Sequence, residues 1–302
     1  MQGSVVTVGT FDGVHRGHQA VLEEIALRAR QSGRRSVLMT FEPHPLEVVN
    51  PRAAPPLLTT ADERREILAQ SRLDVVAFLP FTTTLSQYAP RQFVEFLIER
   101  FALAELVIGH DHGFGRGRAG DEAVVRELGN ALGFTVDVVE PVVVGGRQAS
   151  STLIRRAIAG GDLDTAAELL GRRYSFNGTV VPGAGRGRML GFRTVNLALP
   201  DSRKLLPPDG VYAVRAEWRD GEAGGMMHMG GRPTFGEVAR SLEVHLFGDP
   251  GDLYGQLVKV QWVARLRDVR KFDSAEALTA QLARDQAAAE VALAVPFPGA
   301  TG

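Results

Sequence analysis

The sequence predicts an α/β protein of two unlike domains: a parallel sheet flanked by helices, then an antiparallel sheet or small barrel closed by a terminal helix. Three observations carry this. The first half alternates short apolar, β-branched runs with amphipathic stretches, the pattern of a mostly parallel sheet covered on both faces. From residue 174 to about 263 the chain offers only short alternating runs between Gly, Pro and Asp clusters, as antiparallel sheets and small barrels do. Finally, 302 residues at 44% hydrophobic and 23% charged suit two ordinary domains. The change of texture sets the boundary near Gly171 to Tyr174, giving domains 1–171 and 172–295, with 296–302 as a disordered tail.

Each element follows in order. Residues 4–8 read as a buried strand running into the turn Gly9-Thr10-Phe11-Asp12-Gly13. Residues 17–31 read as a helix, with Ala20, Val21, Ile25 and Leu27 at helical spacing and Gly33 as its stop. The unit recurs: strands over 36–41, 74–79 and 105–108 alternate with helices over 62–71, 90–101 and 122–132. A strand over 136–144 leads to Ser150-Ser151-Thr152, which caps a helix that Gly160-Gly161 ends; a short helix over 164–170 follows. Strands are then expected over 176–181, 210–218, 243–246 and 257–263, and a last helix runs from the N-cap Ser274 to about Leu293.

Composition excludes several classes of function. The 34 basic and 35 acidic residues leave a net charge of -1, so the broad basic field that nucleic-acid binding draws on is missing, although small phosphorylated ligands stay open. With no cysteine there is no disulfide framework, thiolate nucleophile or cysteine-held metal. No apolar run approaches a membrane span and no signal peptide is evident, so a cytoplasmic protein is the default. Only Lys204, Lys259 and Lys271 are lysines among the basic residues; genomic codon bias is the plain reading, and guanidinium forks for phosphate are the sharper one.

The residues that stand out are His15 and His18, three apart at the start of the first helix, behind a turn holding Gly9 and Gly13. Free N–H groups and a helix dipole meet there, where anions bind. Two imidazoles on one helical face would hydrogen-bond a triphosphate and neutralise charge as its α-phosphorus is attacked. A solvated or core role explains neither the spacing nor the glycines. Ser150, Ser151 and Thr152, with Arg155 one turn on, form either a capped helix or a second anion site. His110-Asp111-His112 invites a metal reading, but a flexible loop does not fix such side chains. In the second half, Gly183, Gly185, Gly187 and Gly191 with Arg186 and Arg188 allow a backbone to approach phosphates, or are simply a loop. The stretch is neither a Walker A loop, having no Gly-Lys-Ser/Thr, nor a dinucleotide fingerprint, since position 188 is Arg. Glu243 on an alternating strand would by itself be a solvated face.

These motifs together carry a resemblance. "VGTFDGVHRGHQAVL" at 8–22 is similar to the signature of the HxGH nucleotidyltransferases, and its fuller form resembles the prokaryotic bifunctional riboflavin kinase/FMN adenylyltransferase (FAD synthetase) family. "TFEPHP" at 40–45, "GHDHGFGRGRAGD" at 109–121, "SSTLIRRAIAGGDLDTAAELLGRRY" at 150–174, "GRMLGFRTVNL" at 187–197, "GVYAV" at 210–214, "GGRPTFG" at 230–236, "LEVHLF" at 242–247, "DLYG" at 252–255 and "LRDVRKFDS" at 266–274 match in order. The resemblance implies a Rossmann-like nucleotidyltransferase domain with a parallel sheet and a C-terminal antiparallel β-barrel, riboflavin kinase-like, with a terminal helix. It implies that riboflavin is phosphorylated with ATP to FMN in the second domain, and that AMP passes from ATP to FMN in the first, giving FAD and pyrophosphate. Both steps would need Mg²⁺. His15 and His18 would act on the triphosphate; Gly9, Thr10, Phe11, Asp12, Gly13, Asp111, Ser150, Ser151, Thr152 and Arg155 would bind that nucleotide, and Phe41, His44 and Pro45 its flavin. In the second domain Thr194 and Asn196 would hold magnesium and ATP phosphates with Gly183, Gly187, Arg188 and Gly191, Glu243 would be general base for the flavin 5′-hydroxyl, and Arg267 and Phe272 would contact flavin. The partners implied are riboflavin, FMN and ATP, with no nucleic acid or membrane, in a monomer or homo-oligomer.

The chain departs from the family pattern at Arg193 for Pro, Val195 for Ala and His228 for Asn, while His112 replaces an aromatic residue. Losing Pro loosens the magnesium loop, and a guanidinium adds charge beside it. Two alternatives therefore stand beside the bifunctional reading: a paralogue keeping adenylyl transfer with a weak or altered kinase domain, and a non-catalytic flavin- or nucleotide-binding regulator. Relatives usually begin with an extra short segment, so a truncated start is an expectation here.

Overall fold

The computed structural model describes residues 3–109, 120, 122–183, 191–233 and 238–297. The chain divides into two compact units, Met1–Ser151 and Thr152–Gly302. In the first, β1 (Ser4–Val8), β2 (Arg35–Glu42), β3 (Val75–Pro80), β4 (Leu103–Gly109) and β5 (Thr135–Val139) form a parallel sheet ordered β3-β2-β1-β4-β5. The helices between them are α1 (Arg16–Ser32), α2 (Pro45–Val49), α3 (Ala61–Ala69), α4 (Thr83–Ser86), α5 (Pro90–Phe101) and α6 (Glu122–Leu132). Val5 and Val6 point to opposite faces and both are fully buried, as a doubly covered sheet requires. Val6, Val37, Met39, Leu106 and Ile108 pack with Phe93 and Leu97 of α5 and Val125 of α6. Val5, Leu38 and Val107 pack with Leu22 and Ile25 of α1 and Leu68 of α3. Because β1 has β2 on one side and β4 on the other, the crevice of this sheet opens at the carboxyl end of β1, where open α/β sheets bind ligands.

The strand expected over 136–144 ends at Val139; Glu140 and Pro141 interrupt it, proline having no N–H for a ladder. A separate hairpin follows, β6 (Val143–Val144) with β7 (Arg147–Gln148). Helix α7 (Ser151–Gly160) begins where the units divide.

In the second unit α8 (Leu163–Leu170) is capped by Asp162, whose carboxylate accepts the Thr165 N–H at 3.0 Å. Strands β8 (Ser175–Val181), β9 (Val195–Ala198), β10 (Gly210–Trp218), β11 (Gly221–Pro233), β12 (Val238–Leu246) and β13 (Leu257–Arg267) close a barrel ordered β10-β11-β12-β9-β8-β13. Closure leaves no open sheet edge. Its interior holds the buried rings of Phe176, Tyr212 and Trp262, with Trp262 stacked on Tyr174 at 5.3 Å. Helix α9 (Ala275–Ala294) has Ser274 as its cap, accepting the Ala277 N–H at 3.1 Å. It lies on the barrel through Ala289, against Ala213 and Met226.

Two strands of the barrel were not expected. β11 reads as loop because of its glycines, yet these glycines are what let it pack: a Cβ at Gly224 would meet Leu293 of α9 at 2.7 Å, and one at Gly225 would press on the His245 carbonyl. β9 lies inside the stretch read as a glycine loop and carries Asn196. Of the tail, 298–302 lie outside the described residues.

Candidate active sites

The first site begins where β1 ends. Gly9 donates to the Met39 carbonyl at 3.1 Å, keeping the chain on the sheet for one more residue. The backbone then turns through positive φ at Phe11 (48°), Gly13 (82°) and Val14 (39°). For Phe and for β-branched Val this is a strained conformation that surrounding structure must hold. The buried Asp12 carboxylate holds it from behind, accepting the N–H groups of Leu58 at 3.0 Å and Thr59 at 2.9 Å and the Thr59 hydroxyl at 2.9 Å. Thr59 Oγ1 in turn accepts the Gly13 N–H at 3.1 Å, and Ser151 Oγ donates to the Asp12 carbonyl at 2.9 Å.

This loop aims the histidines. His15 is the N-cap of α1: its Nδ1 accepts the His18 N–H at 3.3 Å, so a neutral ring carries its proton on Nε2. The rings of His15 and His18 stack at 3.7 Å between centroids, and His18 lies 4.5 Å from Phe11. Gly17 sits between them because a Cβ there would come within 3.1 Å of the His15 ring. Two imidazoles thus share one face at the positive end of a helix, an arrangement suited to a polyphosphate.

Thr10 is held by its carbonyl, which accepts Thr40 Oγ1 at 3.0 Å and Arg64 Nη1 at 3.0 Å. Arg64 is buried, and its Nη2 also reaches the Phe41 carbonyl at 2.7 Å and Glu42 Oε2 at 2.6 Å. Burial pushes this guanidinium below its ordinary value while Glu42 and Asp12 oppose the shift. Phe41 is buried against Phe81 and Phe93. His44 caps α2 by accepting the Leu46 N–H at 3.2 Å, and Pro45 opens that helix. Ser150 precedes α7, and Thr152 and Arg155 lie in its opening turns. Asp111, with His110 and His112, lies outside the described residues.

In the second unit the candidate residues form a row across the barrel wall. Asn196 on β9 pairs with Glu243 on β12, Glu243 with His228 on β11, His228 with Val211 on β10, and Val211 with Arg267 on β13. Directly paired residues share a face, so one barrel surface presents Asn196, Glu243, His228 and Arg267. Thr194 stands just ahead of β9. A Cβ at Gly183 would overlap the Asn196 amide, so glycine there makes room for that side chain. Gly191 turns at φ 78°, and Gly187 and Arg188, with Gly185 and Arg186, lie outside the described residues. His228 is exposed on the barrel surface, yet desolvation by the groups packed around its ring pushes it below its ordinary value; Glu243 and Asp209 oppose the shift and Arg267 adds to it. Arg267 is clamped by the buried Asp285 of α9, Nε to Oδ1 at 2.9 Å and Nη2 to Oδ2 at 2.7 Å. The guanidiniums of Arg267 and Arg270 lie over the Phe272 ring at 5.7 and 4.8 Å. Among the described residues no cluster of three or more His, Asp or Glu could hold a metal.

Comparison with known proteins finds two family matches along the chain. The FAD synthetase family model matches residues 1–153, and the riboflavin kinase model matches 170–293. The bifunctional riboflavin kinase/FMN adenylyltransferase of Escherichia coli K12 is 35% identical over 287 residues, 94% of this chain and 91% of that protein. That of Pseudomonas fluorescens is 37% identical over 297 residues, 98% of this chain and 94% of that one. The chain belongs to the bifunctional riboflavin kinase/FMN adenylyltransferase family. The crystal structure of a macrolide-efflux protein from Streptococcus pneumoniae also superposes, with TM-score 0.87 and 31% identity over 98% of this chain and 96% of that one. Among the described residues, no helix of the present chain is long and apolar enough to cross a membrane.

Thr59 and Arg64 are supporting residues that sequence reasoning missed, and so is the contact of His245, whose Nδ1 lies 2.8 Å from the Arg193 carbonyl oxygen. Arg64 stands among Asp62, Glu63, Arg65 and Glu66, which reads as a solvated helix face. Thr59 gives no local signal, because its partner is 47 residues away. His245 had one: it follows Glu243 by two on an alternating strand and so shares its face.

Proposed function

We propose that the chain makes FAD from riboflavin in two steps, one in each domain, with the domains divided as 1–171 and 172–295. In the first domain an FMN phosphate oxygen attacks the α-phosphorus of ATP and pyrophosphate leaves. His15 Nε2 and His18 donate to the triphosphate as charge develops, at the positive end of α1; Gly9 to Gly13 give backbone room, and Ser150, Ser151, Thr152, Arg155 and Asp111 are the further nucleotide contacts that the family resemblance implies. Asp12 acts from behind, since its carboxylate is committed to Leu58 and Thr59. His44 and Pro45 line the flavin side, with Phe41 beneath them. In the second domain Glu243 takes the proton of the flavin 5′-hydroxyl as its oxygen attacks the γ-phosphorus and ADP leaves. Gly183, Gly187, Arg188 and Gly191 flank the ATP phosphates, and Arg267 and Phe272 the flavin.

Thr194 and Asn196 supply hard oxygen donors suited to Mg²⁺, and Gly183 leaves the cradle in which the Asn196 amide sits. A Mg²⁺ held there would neutralise phosphate charge; the protein's part is to keep Asn196 paired with Glu243 and Thr194 just ahead of β9. Small-molecule substrates account for both sites, and a cytoplasmic location, with the chain as monomer or homo-oligomer, fits them.

The observation that carries the reading is the presence of both constellations in one chain: stacked His15 and His18 in the first unit, paired Asn196 and Glu243 in the second. A second reading, adenylyl transfer with an altered kinase, is favoured by Arg193, Val195 and His228. One experiment separates them: purified protein with Mg-ATP and either riboflavin or FMN, the flavin products resolved by chromatography. FMN and FAD from riboflavin are expected. FAD from FMN with nothing from riboflavin would establish the second reading, and no turnover of either flavin would leave a binding protein.

A further inference from the structure

The segment entering β9 is tied down from the neighbouring strand. His245 Nδ1 lies 2.8 Å from the Arg193 carbonyl oxygen. A carbonyl only accepts, so the ring donates through Nδ1–H, which both the Nδ1–H tautomer and the imidazolium provide. The same ring meets Phe192 edge-on at 5.2 Å and Phe247 at 5.9 Å. Phe192 and Phe247, like Leu282 and Ala292 of α9, pack against the cluster of Ala213, Met226 and Ala289. Glu243 and His245 are two residues apart on β12, on one face and separated by about 7 Å of rigid strand. One strand therefore carries both the proposed base and the group that fixes the backbone just ahead of Thr194.

We infer that His245 is a positioning residue of the kinase site, holding the 192–194 backbone so that Thr194 and Asn196 meet the nucleotide at a set distance from Glu243. This rests on the proposed kinase roles of those three residues. Arg193 contributes its carbonyl and, unlike a proline, has no ring to fix φ; the hydrogen bond supplies the restraint that a ring closure at 193 would supply covalently.

The test uses the full chain with His245→Ala, His245→Asn and His245→Ala combined with Arg193→Pro. Cleavage by trypsin after Arg193, followed by mass spectrometry, reads the tie without reference to activity. Steady-state FMN formation reads KM for ATP against kcat, and FAD formation from FMN serves as control. His245→Ala is expected to speed cleavage after Arg193 severalfold. It should raise KM for ATP about five- to tenfold, the scale of one lost hydrogen bond, with a smaller change in kcat. His245→Asn, which keeps an N–H donor, restores most of both, and Arg193→Pro restores the KM of the alanine variant. Unchanged cleavage and KM in His245→Ala would overturn the inference. So would a fall in kcat alone that neither asparagine nor proline recovers. If His245→Ala loses FAD formation or its circular dichroism, His245→Asn decides through the same readouts. If the wild type makes no FMN, the kinase reading fails, and the cleavage rates still decide whether His245 holds the segment.

Discussion

The two candidate sites are built in opposite ways. The first is made of strained backbone: among the described residues, the non-glycine positions with positive φ are Phe11, Val14 and Ala102, all in the first unit and two of them in the histidine loop. Such residues cost on the order of 1–3 kcal/mol each and persist only where buried contacts over-determine them, which here come from Asp12, Thr59, Arg64 and Ser151. The second site is a row of paired strand positions, Asn196 to Glu243 to His228, where closure of the barrel does the holding. A strained loop is therefore vulnerable to loss of the polar groups behind it. A paired row is vulnerable mainly to loss of the reacting side chain itself.

The largest effect expected is a clean separation of the two reactions. His18→Ala should lower FAD formation from FMN by about 10²- to 10³-fold, as removal of a transition-state donor does, and leave FMN formation from riboflavin within twofold. Glu243→Gln should do the reverse, by about 10²-fold or more. Chromatographic rates for both flavins in both variants check this, and loss of both activities in a folded variant would break the two-site assignment.

Next in size is the support behind the loop. Asp12→Ala would leave three donors, from Leu58 and Thr59, without their acceptor. The expected loss is on the order of 3 kcal/mol in the first unit, with Asp12→Asn, which keeps one acceptor oxygen, losing less. Both tryptophans, Trp218 and Trp262, lie in the second unit. In a urea titration the circular dichroism transition should therefore move while the tryptophan fluorescence transition stays; movement of both would show that the strain is not confined to the loop.

That contrast also explains what the sequence made legible. Strands 4–8 and 210–218 and helices 90–101 and 122–132 declare themselves through periodicity, because local pattern and global burial agree there. The histidine pair is legible for the same reason, being local in sequence. β11 was hidden because its glycines, read as turn formers, are packing residues under α9 and against β12. Asn196 was read in a loop because β9 is only Val195–Ala198, too short to show a period. The roles of Asp12 and Arg64 rest on partners from tens of residues away, which no local window contains. In the barrel row, residue types were legible but their adjacency was not, since register is set by closure of the sheet.

A smaller effect is expected from His228. Its value lies below the ordinary 6.5 because partial desolvation disfavours the charged ring, with Arg267 adding to this and Glu243 and Asp209 opposing, and solvent at this exposed position keeps the effect small. Well above pH 6.5 the ring is neutral folded or unfolded and contributes nothing to the pH slope. As the pH falls below that, the unfolded chain takes up the proton more readily, so the barrel loses stability. His228→Asn should flatten this acid-side decline, read by tryptophan fluorescence in urea between about pH 7.5 and 5.5. An unchanged slope would place the acid sensitivity elsewhere.

The smallest effect is the sharpest test of whether strain in the first unit is confined to the site. Ala102 caps α5 with φ 50° and ψ 50°, is exposed, and donates its N–H to Ile98 at 3.0 Å. Glycine adopts that conformation without a Cβ penalty, so Ala102→Gly should stabilise the first unit by about 0.5–1 kcal/mol, with FAD formation unchanged. Val14→Gly relieves a comparable strain but also removes an isopropyl group only 2% exposed, worth about 1.5–3 kcal/mol, and frees the turn that aims His15. It should lose both stability and FAD formation. If Val14→Gly instead gained stability as Ala102→Gly does and kept FAD formation, the φ of Val14 would be an ordinary cost of a turn, and its buried side chain would have no part in aiming His15.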